Sequence, residues 1–172
     1  MGTLEWPWQY SFPPFFTIQP NEETRKKQLD AWKSLVLEYH RSEKLYVLDL
    51  REAETSPLFN NASISRKLST EGILIVLEAL QRGGRADPLN KERTRWHIYW
   101  HSLAEWGSII YSWIQESGQL NSVCTLYEIA HTPDQEFTNI DSDVLIKIIK
   151  VLEKQNKAEL IMFDGNSGVK FF

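Results

Sequence analysis

The residues able to do chemistry in this 172-residue sequence are few, and their spacing supports none of the usual chemistries. The histidines are His40, His97, His101 and His131, and Cys124 is the one cysteine. His97 and His101 fall on one face of an expected strand, but at ~3.3 Å per residue they lie ~13 Å apart, too far to share a metal ion. There is no glycine-rich phosphate loop and no nucleophile elbow. Gly83-Gly84 reads as a helix stop that opens a hairpin. Asp141 and Asp143 suit the positive end of a helix dipole rather than acid–base work. A single cysteine closes no internal disulfide and fits a reducing compartment. Next to Val123, it reads as a small buried apolar residue. The expectation is a protein with no catalytic residue, no metal and no cofactor.

Composition narrows the class further. Hydrophobic residues make up 42% and charged residues 24%, values of a chain that folds around a core. The net charge of −4 carries no basic excess, which argues against a nucleic-acid partner. No stretch approaches the ~18 apolar residues of a membrane span. Met1 to Trp6 lacks the basic head and apolar run of a secretory leader, so the sequon Asn61-Ala62-Ser63 predicts no glycan.

The unusual chemistry is aromatic. Trp6, Trp8, Tyr10, Phe12, Phe15 and Phe16 fall within eleven residues, with Pro7, Pro13, Pro14 and Pro20 among them. Proline fixes φ and pushes the preceding residue toward extended geometry, so residues 1–20 are expected to be extended. Trp6, Trp8, Tyr10 and Phe12 would then point to one side. Two uses fit such a strip. It can pack against the domain that follows, or it can dock into pockets of another protein with little entropy to lose.

The elements behind the strip repeat. Asn21 caps an expected helix over about 22–40, with Leu29, Trp32, Leu35, Val36 and Tyr39 at helical spacing. Leu45 to Leu48 reads as a strand and residues 57–68 as a short helix. Ser69 or Thr70 caps a helix to about Arg82, and Arg95 to Trp100 forms the second arm of a hairpin begun near Arg85. The series then restarts. Ser102-Leu103-Ala104-Glu105 is a capping box opening a helix to about Ser117. Val123 to Thr125 is a strand, Leu126 to Ala130 a short helix, and Asp141 caps a helix to about Gln155. Ala158 to Phe163 and Val169 to Phe172 form a hairpin around Asp164-Gly165-Asn166. Leu29-x-x-Trp32-x-Ser34-Leu35-Val36 matches Leu103-x-x-Trp106-x-Ser108-Ile109-Ile110, so Trp32 and Trp106 should be equivalent core residues. Each half runs helix, strand, helix, helix, hairpin. The fold class is therefore α+β, with two tandem winged-helix domains over 21–101 and 102–172, each a three-helix core with a hairpin wing.

Winged helices often bind DNA through their third helix. Here the first such helix opens on Glu71 and carries Glu78, with no basic residue before Arg82, so phosphate repulsion opposes docking. In the second, Lys147, Lys150 and Lys154 are offset by Asp141, Asp143 and Glu153. Arg82, Arg85, Lys91, Arg93 and Arg95 do cluster around the first wing. A DNA-binding regulator is thus the alternative to an assembly subunit.

Specific stretches resemble a known family. Trp6-Pro7-Trp8-Gln9-Tyr10-x-Phe12-Pro13-Pro14-Phe15-Phe16-Thr17-x-Gln19-Pro20-Asn21 resembles the N-terminus of the smallest subunit of ESCRT-II. Ser56-Pro57-Leu58-Phe59-Asn60-Asn61, Glu105-Trp106-Gly107, Thr125-Leu126-Tyr127-Glu128 and Gly168-Val169-Lys170-Phe171-Phe172 extend the resemblance over the whole chain. It implies two winged-helix domains, no enzyme, and a cytosolic complex recruited to endosomal membranes. Two copies of the subunit would join one each of two larger winged-helix subunits. Trp6, Pro7, Trp8, Tyr10, Phe12, Pro13, Pro14, Phe15 and Phe16 would enter pockets on those larger subunits, with Pro13 to Phe16 the better match. The second domain would bind the N-terminal helix of the initiating ESCRT-III subunit. Within it the hairpin residues Leu160, Met162, Val169 and Phe171 are the candidates. The complex would sort ubiquitinated cargo into multivesicular bodies, touching the membrane only through the assembly.

Overall fold

The computed structural model describes residues 4–163 and 166–172. Ahead of the first long helix the chain makes two short 3-10 turns, Trp8–Ser11 and Pro13–Phe16, which corrects the expected extended strip. A proline φ near −65° suits 3-10 backbone as well as extended backbone. Pro13 and Pro14 occupy the opening positions of the second turn, where a missing N–H costs nothing.

Asn21 then caps α1 (Glu22–Glu43), its side chain accepting the Thr24 amide at 3.1 Å. The helix runs past the expected end because Lys44, at φ 51°, is the residue that turns left-handed. After β1 (Val47–Asp49), Asp49 caps the single-turn α2 (Leu50–Ala53). The stretch expected to be a helix at 57–68 is instead a two-stranded ribbon, β2 (Asn60–Asn61) and β3 (Arg66–Lys67), around a 3-10 turn at Ala62–Ile64. Asn61 accepts the Ser63 amide and Ser65 turns left-handed, so the segment folds back rather than coiling on. Then come α3 (Thr70–Arg82), capped by Ser69, β4 (Ala86–Pro88) and β5 (Arg95–Ile98). The sheet order is β1-β5-β4, antiparallel throughout.

The second half repeats the series as α4 (Leu103–Glu116), β6 (Val123–Thr125), α5 (Leu126–Ala130), α6 (Ser142–Lys154), β7 (Ala158–Phe163) and β8 (Asn166–Phe171), with sheet order β6-β8-β7. The Ser102–Glu105 capping box forms, and a second box, Thr125–Glu128, starts α5. β8 begins three residues earlier than expected, with Gly168 paired to both Ile161 and Thr125. Of the expected turn, Asp164 and Gly165 lie outside the described residues. Each half is a winged helix, and the chain folds as two compact units, Met1–Trp100 and His101–Phe172.

In the first unit α1 and α3 bury Trp32, Leu35, Val36, Ile73, Val76 and Leu77 against the sheet. In the second, Trp106, Ile110, Val144, Ile148 and Leu152 fill the equivalent space. Trp32 and Trp106 are both fully buried.

Candidate partner-binding surfaces

The N-terminal segment is held to the first unit by an aromatic stack and a polar clamp. The Phe15 ring lies flat on Trp32, with centroids 4.2 Å apart and planes 3° from parallel. Phe16 meets the same indole edge-on at 5.4 Å. Trp32 Nε1 donates to Phe15 O at 2.9 Å, which satisfies the one polar atom of a fully buried indole. Gln28, buried on α1, works on the backbone. Its Nε2 donates to Thr17 O at 2.7 Å and Phe15 O at 3.0 Å, while its Oε1 accepts the Gln19 amide at 3.0 Å. Further back, Tyr10 donates its hydroxyl to Pro57 O, and Asn61 Nδ2 donates to Tyr10 O at 2.7 Å. The sequon asparagine is therefore buried and already engaged.

These contacts divide the nine expected docking residues. Phe15 and Phe16 are 3% and 4% exposed, so they are core residues of their own domain. The stretch expected to be the best docking motif thus holds its two phenylalanines inward. Trp6 leans on Tyr10 with ring centroids 4.0 Å apart and planes 31° from parallel, yet is itself 42% exposed, while Tyr10 is half-buried. Pro7 is half-buried, and Pro13 and Pro14 are exposed. Trp8 and Phe12 point outward, 70% and 47% exposed, with their rings 5.6 Å apart. They are neighbours across a 3-10 turn rather than members of one extended face. Together with Pro14, Phe15 and the α1 residues Thr24, Lys27 and Gln28 they wall a groove of about 550 Å³. Large exposed aromatics beside an apolar groove are what a protein-docking surface needs, and water is a poor partner for both.

The second unit treats its four candidates unequally. Val169 and Phe171 are fully buried in the sheet–helix core and present no surface there. Leu160 is half-buried, and its amide donates to Glu153 Oε2 at 3.0 Å. Met162, near the wing tip, is 72% exposed. Sequence reasoning missed Tyr127, 70% exposed and stacked on His131 at 3.8 Å, and Val123, 50% exposed. Their signal was available, because both flank the buried Cys124 and Ile129 at positions that period and cap turn outward.

His97 is buried in β5, and His101 lies beyond that strand, bonded to Glu136, so the pair does not share a strand face. Burial, with Glu128 nearby, pushes the Cys124 thiol pKa up, away from a reactive thiolate. The basic cluster of the first wing is partly tied down. Arg93 donates to Gln81 at 2.9 Å and covers Trp96 at 4.8 Å, and Arg85 donates to Trp100 O at 3.0 Å. The surface of α3 shows Glu71, Leu74, Ile75 and Glu78, an acidic and apolar face unsuited to phosphate.

Comparison with known proteins converges on one family. The model of the ESCRT-II complex subunit matches residues 9–143. Vacuolar protein-sorting-associated protein 25 of Danio rerio is 50% identical, over 99% of either chain. Its Homo sapiens counterpart is 48% identical, over 99% of this chain and 98% of its own. The crystal structure of the endosomal complex ESCRT-II (VPS22/VPS25/VPS36) contains a chain that superposes with a TM-score of 0.82 at 31% identity, over 96% of this chain and 98% of that one. Two winged helices, an anchored aromatic segment and full-length similarity agree: the chain belongs to the ESCRT-II complex subunit family.

Proposed function

We propose that this chain is a non-catalytic assembly subunit whose N-terminal segment docks on the two larger subunits of ESCRT-II, two copies of it joining each complex. The carrying observation is the pair Trp8 and Phe12, large apolar rings held out from a segment that is otherwise pinned to its own domain. A segment ordered before binding loses little conformational entropy on binding, so ordering it offsets less of what the buried area contributes. Trp6, Pro7, Pro13 and Pro14 flank the pair, while Tyr10, Phe15 and Phe16 position it. The relative solved in complex, VPS25 with VPS22 and VPS36, supports this choice of partners.

The same reading assigns the second winged helix to the N-terminal helix of the initiating ESCRT-III subunit, with Met162 and Leu160 on the wing as contacts. The assembly would then act at endosomal membranes, sorting ubiquitinated cargo into multivesicular bodies. Among the described residues no helix is long and apolar enough to cross a membrane, so membrane contact would come through the complex.

The test is co-purification of the full chain with the two larger subunits, comparing the native sequence with Trp8→Ala/Phe12→Ala. Alanine at a central aromatic anchor costs about 2 kcal/mol or more of binding energy. The double variant should fold normally and lose the complex. Undiminished assembly by a folded double variant would sink the docking role.

A further inference from the structure

The first winged-helix unit holds a second cavity, of about 290 Å³, lined by no residue of the N-terminal segment. It lies between the last turns of α1, strand β1 and the loop after α2. Leu45, Val47 and Leu58 give it apolar walls, and its charged groups are both carboxylates, Asp49 and Glu52. Asp49 Oδ1 accepts the Arg51 amide at 2.9 Å. Neither carboxylate belongs to an ion pair among the described residues.

His40 makes this more than an acidic cluster. It lines the cavity and is 3% exposed. Its Nδ1 lies 2.7 Å from Val36 O, and a carbonyl only accepts, so Nδ1 carries the proton. Nε2 is then a lone-pair acceptor, and it has no hydrogen-bond partner among the described residues. Burial holds the imidazole pKa down to about 4, so the lone pair persists at neutral pH.

A lone pair, two carboxylates and apolar walls call for a cation that has N–H donors and an apolar stem. A metal ion is the obvious rival, but among the described residues no three His, Cys, Asp or Glu are placed to hold one. A guanidinium fits better than an ammonium. It is planar, more weakly hydrated, rich in donors, and able to stack on the Tyr39 ring at the wall. A free amino acid would bring its own α-carboxylate to a site already carrying two, whereas an arginine within a chain would not. We propose that this cavity receives an arginine side chain presented by a partner protein, its guanidinium donating to His40 Nε2 and facing the Asp49 and Glu52 carboxylates.

The test titrates N-acetyl-arginine amide into the isotope-labelled full chain, following the His40 ring and the Ala53 amide by NMR. Saturable shifts at both are expected, with none from N-acetyl-citrulline amide, its uncharged isostere, and weaker ones from free arginine. Glu52→Lys, at an exposed position, should weaken binding about threefold or more while leaving the rest of the spectrum in place. His40→Phe should abolish the saturable Ala53 shift. Absence of a saturable shift, an equal response to citrulline, tighter binding of free arginine, or unchanged affinity in Glu52→Lys would each overturn the proposal. Should His40→Phe fail to fold, the citrulline and Glu52→Lys arms still decide.

Discussion

At the scale of single residues, the first unit depends on two polar side chains that it keeps from water. Gln28 is 8% exposed and bonds four backbone groups of the N-terminal segment. Gln28→Leu conserves bulk but leaves the Gln19 amide without its partner and strips one donor each from Phe15 O and Thr17 O, at about 2 kcal/mol. Urea denaturation should show that loss, and hydrogen exchange at the Gln19 amide should accelerate beyond that of neighbouring helix amides. His40 sets a pH dependence. Burial lowers its folded pKa to about 4, from an ordinary value of 6.5. Below 6.5 the unfolded chain takes up a proton that the folded chain refuses, so stability falls as pH drops toward 4 and is fully present above 6.5. The contribution at stake is on the order of 3 kcal/mol. His40→Leu should flatten the fall between those limits, measured as urea midpoints at stepped pH. Trp32 and Trp106 were legible as core because they recur at one position of a repeat. Gln28 and His40 were not. Their partners are backbone groups, and for Gln28 these belong to a separate segment that no helical period reveals.

At the scale of elements, legibility followed length and capping. The helices α1, α3, α4 and α6 carry periodic apolar faces and side-chain caps, so their positions could be read directly. The ribbon β2–β3 has two residues per strand and no alternation to read, and α2 is a single turn. Such short pieces exist only because the surrounding core holds their ends. Among the long helices, Gly107 shows what packing demands. A Cβ built there would meet Leu152 Cδ2 at 3.2 Å, so α4 and α6 approach as closely as that glycine allows. Gly107→Val would add two further methyl groups to a filled space and a β-branch to a helix interior, at about 2 kcal/mol. The expected result is a lowered urea midpoint for the second unit. An unchanged midpoint would mean that the two helices can separate freely.

At the scale of the whole molecule, the N-terminal segment belongs to two readings at once. The choice between self-packing and docking, open from the aromatic pattern alone, splits by residue: Phe15 and Phe16 pack inward, while Trp8 and Phe12 stay out. Sequence could not make that division, because all four are large aromatics within one short stretch, and only the 3-10 turns decide which of them faces α1. The division changes how the segment should be probed. Deleting residues 1–16 removes the rings proposed to dock, but it also pulls two phenylalanines out of the core. Each Phe→Ala change in a core costs about 3–5 kcal/mol, and a small domain holds only about 5–15 kcal/mol in total. The deleted chain should therefore lose most of the stability of residues 17–100, while residues 101–172, whose core contains no part of the segment, keep theirs. NMR of the deleted chain should show dispersed, native-position resonances for Trp106 and Phe171 beside collapsed ones for Trp32 and Phe59. If Trp32 and Phe59 kept their native shifts, the inward rings would be dispensable to the fold, and Phe15 and Phe16 would return to the list of residues free to dock.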